Sequence, residues 1–120
     1  MILSTIRMTL PREKHYDALK ILRSIALQIR DNPNCLSCWI CRDAEDASVL
    51  LLQEYWESEE GLSLHVRSNE YRNLLLVLEM SIKQPEIRFD NISGSTGIET
   101  IEKIRGTLPF EKAQNEPLHQ

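Results

Sequence analysis

The segment Val49-Leu50-Leu51-Leu52-Gln53-Glu54-Tyr55-Trp56 has the length of a strand and carries apolar residues on both parities. A strand with one wetted face alternates apolar with polar residues, and this one does not. Its neighbour Cys35 to Arg42 behaves alike: Cys35, Ser37, Trp39 and Cys41 alternate with Leu36, Cys38 and Ile40. The polar stretch Asp43-Ala44-Glu45-Asp46-Ala47-Ser48 joins the two as an antiparallel hairpin. A fold built on this pair must cover both faces of its sheet.

The flanking segments supply half of that cover. Ile2, Ile6, Met8 and Leu10 share one parity against Thr5, Arg7 and Thr9, the signature of a half-buried strand. Pro11 suits a first helical turn, and Leu19, Leu22, Ala26 and Ile29 recur at spacings of three and four up to Arg30. The spacing predicts a long amphipathic helix with Asp17, Lys20, Ser24 and Gln28 on its wet side, stopped by Asp31-Asn32-Pro33-Asn34. After the hairpin, Ser58 can cap a short helix to about Val66, with Glu59 and Glu60 where the helix dipole favours negative charge. Ser68 opens a longer helix with the stripe Tyr71, Leu74, Leu75, Leu78 and Ile82, closed by Gln84-Pro85. Pro85 to Ile92 gives a last strand with Ile87 and Phe89 facing one way and Arg88 the other.

The order strand, helix, strand, strand, helix, strand is the ferredoxin-like arrangement, an α+β fold in which helices cover one face of a four-stranded antiparallel sheet. The other face is left bare, so a second copy of the chain, or a bound ligand, is expected to bury it. A closed two-fold homodimer is the simplest cover. This domain is expected to end near residue 92. Ser93-Gly94-Ser95-Thr96-Gly97 then reads as a connector, and Ile98, Ile101 and Ile104 as the edge of a two-turn helix that docks on its own domain or reaches across to a partner. Gly106 to Gln120 reads as a frayed tail.

Charge and cysteine usage exclude several classes. The 14 basic residues are scattered among 18 acidic ones for a net charge of −4, which argues against nucleic acid as a partner. The longest apolar runs, Val49 to Leu52 and Leu74 to Leu78, are too short to span a bilayer. All three cysteines lie between Cys35 and Cys41, where they cannot staple distant segments, so reduced thiols and a cytoplasmic location are expected.

The stretch Glu54-Tyr55-Trp56-Glu57-Ser58-Glu59-Glu60-Gly61-Leu62-Ser63-Leu64-His65-Val66-Arg67-Ser68-Asn69-Glu70-Tyr71 resembles the signature region of the antibiotic biosynthesis monooxygenase family. There a strand ends in Glu-x-Trp, a short helix places a His, and a Ser with an aromatic residue opens the next helix. With the element order around it, the likeness covers about residues 1 to 92. It implies a dimeric α+β barrel whose sheets enclose a pocket. In some members it implies oxygenation of small aromatic or quinol-type compounds with no metal or other cofactor. The haem-degrading branch carries an Asn on the first strand, a Trp on the short helix and a His on the later helix. Ser4 to Met8, Gly61 to Val66 and Tyr71 to Ile82 lack these residues, so haem degradation is disfavoured.

His65 is the catalytic candidate, since a neutral imidazole can take the proton of a phenolic substrate and leave the anion that reacts with oxygen. The competing role is a fold-holding His, bonded to Glu54 or a backbone carbonyl. Glu54 and Trp56 share a strand face and, with Tyr71, are candidates to line the pocket, where core packing is the alternative for the aromatics. Arg88 and Asn91 are candidates to hold a polar substrate group, or to form structural pairs. The Cys35, Cys38 and Cys41 spacing invites a metal. In a regular strand, however, a step of three residues reverses the face, so Cys38 is expected to point away from the other two and no metal site is expected.

Overall fold

The computed structural model describes residues 1–106 and has an α+β architecture. Its strands are β1 (Ile2–Thr9), β2 (Cys35–Arg42), β3 (Val49–Trp56) and β4 (Glu86–Asn91). Its helices are α1 (His15–Arg30), α2 (Glu59–Val66), α3 (Asn69–Glu79) and α4 (Ile98–Arg105), with a 3-10 turn at Arg12–Lys14. The four strands form one antiparallel sheet in the order β2-β3-β1-β4, the expected ferredoxin-like topology.

Register fixes which residues meet the helices. Ile2, Ser4, Ile6 and Met8 of β1 pair with Trp56, Glu54, Leu52 and Leu50 of β3, and all eight are buried. Against them pack Ala18, Leu22, Ile25, Ala26 and Ile29 of α1 and Tyr71, Leu74 and Val77 of α3. Each large aliphatic side chain buried in this way stabilises the fold by about 1.5–3 kcal/mol. On the opposite face, with Leu3, Leu51, Tyr55, Cys41 and Trp39, no helix packs among the described residues, and Trp39 is 59% exposed.

Two capping serines set the helix starts near the site. The Ser58 hydroxyl accepts from the Gly61 N–H and the Ser68 hydroxyl from the Tyr71 N–H, each cap contributing about 1 kcal/mol. The predicted stripe of α3 needs correction. Val77 is buried where Leu75 was expected and Leu75 is 47% exposed, because positions 71, 74 and 77 keep to one face at helical pitch. Ile82 lies beyond the helix and is exposed. The Thr9 carbonyl accepts from both the Ile82 N–H and the Ser81 hydroxyl, which ends α3 and ties the chain to β1.

The cysteines depart further from expectation. A bulge between Cys35 and Ser37 places Cys35 opposite Trp56 and Cys38 opposite Glu54, so both face the helices and only Cys41 faces away. An extra residue in one strand shifts the parity of everything before it, which a strict period of two cannot anticipate. The predicted short helix after the connector is present as α4. The expected frayed tail lies, after Gly106, outside the described residues.

Candidate functional site

Trp56, the last residue of β3, is fully buried beneath α2, and its indole Nε1–H donates to Glu54 Oε1 at 2.7 Å. Two positions apart on one strand, the side chains lie on the same face and can meet in this way. His65 comes from the last turn of α2. Its ring stacks on Trp56 with centroids 4.7 Å apart and meets Tyr71 edge-on at 5.1 Å. The Ser68 hydroxyl donates to the His65 carbonyl at 2.6 Å while it caps α3, so one side chain fixes the α2–α3 junction on which the imidazole rides.

His65 Nε2 lies 3.4 Å from Glu54 Oε1, close enough for an ion pair but outside hydrogen-bond geometry. Both His65 Nε2 and Glu54 Oε2 are therefore buried without a hydrogen-bond partner. Burying such groups unpaired costs several kcal/mol unless a charge or proton is shared between them. Glu54 Oε1, already held by the Trp56 N–H, is the carboxylate atom that faces His65 Nε2.

The surroundings register the carboxylate. Burial first, and then the charge of Glu54, pushes the Tyr71 hydroxyl above its ordinary range. The same two causes, in the same order, raise the Cys35 thiol. Cys38, across the strand pair from Glu54, is pushed up to about 12 by burial, Glu54 and Cys35, against an opposing pull from Arg30. These thiols stay protonated and chemically quiet at neutral pH. Among the described residues, no group of three or more His, Cys, Asp or Glu side chains gathers as a metal site.

The structure thus brings together Glu54, Trp56, His65 and Tyr71. It does not bring Arg88 or Asn91 to them. Arg88 pairs with Thr5 on the opposite sheet face, where its guanidinium donates to Asp90 at 3.1 Å in solvent. Asn91 has the right parity but is exposed on the edge strand, two strands from Trp56 in the row through Ile2. With opposite facings, Arg88 and Asn91 cannot grip one group together.

His65, itself buried, stands in the wall of a cleft on the helix side. The cleft, of about 430 Å³, opens between the end of α1, the Asp31–Asn34 turn and the α2–α3 junction, with Gln28, Asn32, Asn34, His65 and Ser68 in its wall. Ligand sites begin at about 300 Å³. Sequence reasoning missed the turn's part in this wall. One signal pointed to it: Gly61 sits inside a helix, where glycine costs about 1 kcal/mol relative to alanine and calls for a packing reason. A Cβ at position 61 would lie 2.7 Å from Asn34 Cβ, so only glycine lets α2 approach the turn this closely.

Comparison with known proteins agrees with the fold. Solved structures with the same fold include a conserved protein from Methanosarcina mazei Go1, at 21% identity and a TM-score of 0.71, covering 75% of this chain and 90% of that one. A protein named as an antibiotic biosynthesis monooxygenase aligns at 17% identity and a TM-score of 0.71 over 78% of this chain and all of its own. A Deinococcus radiodurans protein described as a candidate for the same activity aligns at 16% identity and a TM-score of 0.74, over 82% of this chain and 98% of its own. No curated protein matches the sequence significantly. The sequence model of antibiotic biosynthesis monooxygenases matches residues 1–75, which takes in the whole Glu54–Tyr71 cluster. On that match the chain belongs to the antibiotic biosynthesis monooxygenase family.

Proposed function

We propose that the protein is a cofactor-independent monooxygenase acting on a small aromatic or quinol-type compound, with His65 as its base. The observation that carries this reading is the buried Glu54–His65 pair, 3.4 Å apart, beside a cleft large enough for a ligand. A phenol or quinol in that cleft would lose its proton to His65, and the resulting imidazolium would be stabilised by Glu54 behind it. The electron-rich anion then reduces oxygen and supplies all four electrons itself: the O–O bond breaks, the substrate gives up two hydrogens and gains one oxygen atom as a quinone-level carbonyl, and the other oxygen atom leaves with those hydrogens as water. Trp56 holds the carboxylate through its N–H, and Trp56 and Tyr71 hold the ring by stacking and edge contact, so these two act as positioning residues. The protein's share of the chemistry is orientation, a base and a site sheltered from water.

The same reading makes the molecule a cytoplasmic homodimer. No helix among the described residues is long and apolar enough to cross a membrane. Leu3, Leu51, Tyr55 and Trp39 on the bare sheet face are the surface a second copy would cover.

The test is aerobic and anaerobic incubation of the full chain with a panel of hydroquinones, naphthols and anthrones, with oxygen uptake and incorporation of labelled oxygen as readouts. His65→Ala is expected to lower turnover by about 10²–10⁴-fold. Turnover that survives this substitution unchanged would remove His65 from the chemistry, and absence of oxygen uptake across the panel would remove the activity. That second result would favour a non-catalytic dimeric protein that holds a small ligand or serves as a structural unit, the structural role being the one that the complete burial of Trp56 as packing supports.

A further inference from the structure

The helix layer stops short of the fourth strand. Ile87 and Phe89 lie on the helix-facing side of β4, in the rows of Ile6 and Ser4. Ile6 and Ser4 are buried, whereas Ile87 and Phe89 are 47% and 49% exposed. Phe89 faces Leu62, Ser63, Val66 and Arg67 of the α2 region across a cleft of about 460 Å³, whose walls are mainly apolar.

A second uncovered apolar surface sits on the same chain. At about 100° per residue, Ile98, Ile101 and Ile104 of α4 fall within an arc roughly 120° wide, which Arg105 shares at the C-terminal end of the helix. None of the α4 residues is buried, and Ile104 is 78% exposed. Eight residues are too few to hold a helix in water on propensity alone, so this one needs a surface.

We infer that α4 of one chain docks in the cleft between α2 and β4 of a second copy, in a reciprocal exchange that rests on the dimer reading above. The cleft offers an apolar strip bounded by Arg67, and the Ile stripe of α4 is bordered by Glu102, which would meet that guanidinium. The Ile92 N–H donates to the Met1 carbonyl, so the chain stays paired with β1 to its first residue and leaves the sheet beyond that end. The five residues Ser93 to Gly97 reach at most about 17 Å, enough to fold back onto the same chain. The single chain does not take that course and leaves both surfaces open.

The experiment mixes two full-length chains of different mass, one with Ser63→Cys in the cleft wall and one with Thr100→Cys on α4. They are treated with a short bismaleimide, and bridges are mapped by peptide mass spectrometry, which separates them from bridges at the native thiols. The expected result is an inter-chain bridge between positions 63 and 100, lost when Ile101→Glu is added. A single chain carrying both cysteines that bridges only within itself would overturn the exchange, as would absence of any 63–100 bridge. Light scattering on the same samples separates the two failures: a dimer lacking the bridge overturns the exchange alone, and a monomer overturns the dimer reading with it.

Discussion

Gly61→Ala sets two opposed effects against each other at a position that steers the site. Alanine inside a helix gains about 1 kcal/mol over glycine. Here the added Cβ would lie 2.7 Å from Asn34 Cβ and 3.1 Å from Asn34 Cγ, far inside contact distance. The clash is with a side-chain root rather than a flexible tip, because the Asn34 backbone is pinned: its carbonyl accepts from the Glu57 N–H and its own N–H donates to the Asn32 side chain. Overpacking of this kind costs about 1–3 kcal/mol, so the net effect is a loss of up to about 2 kcal/mol. At that limit the urea midpoint falls by roughly 0.7–2 M, taking a slope of about 1–3 kcal/mol/M. The sign is the sharper test. In an Asn34→Gly background the obstructing atoms are gone, and Gly61→Ala should stabilise by about 1 kcal/mol. If Gly61→Ala stabilises the otherwise unchanged protein, the close approach of α2 to the turn is not what keeps glycine there, and the account of how α2 places His65 fails with it.

Three further outcomes follow from the same geometry. A double-mutant cycle of Trp56→Phe with Glu54→Leu, which removes the acceptor, should give a coupling of about 1.5–3 kcal/mol, the range for a hydrogen bond to a charged group; coupling near zero in chemical denaturation would mean that the 2.7 Å contact does not hold the carboxylate. Because the Cys38 thiol is raised in the folded state to about 12, the unfolded chain releases this proton first as pH rises. The stabilisation is therefore whole below about pH 9 and lost progressively towards pH 12; Cys38→Ala should flatten that alkaline slope, and an unchanged slope would count against a buried thiol. Arg88→Ala should leave turnover unchanged, since Arg88 lies on the sheet face away from His65; a loss of turnover would return Arg88 to the site.

Alternation and helical spacing are local properties, and through them the sequence alone determined the order of elements, the strand limits at Cys35–Arg42 and Val49–Trp56, and the two capping serines. The same local logic put Glu54 and Trp56 on one face of β3. Tertiary structure decided whatever depended on segments far apart in the chain. The bulge that turns Cys35 to the side of Cys38 arises from how β2 pairs with β3, and the burial of Val77 in place of Leu75 from how α3 meets α1 and the sheet. The placing of His65 on Trp56 and Tyr71, with Arg88 on the far face, came from the packing of α2 on the sheet and the register of β4. Periodicity says which way a side chain points from its own backbone, whereas its neighbours are fixed only when separate elements pack, and the proton chemistry proposed for Glu54 and His65 depends on those neighbours.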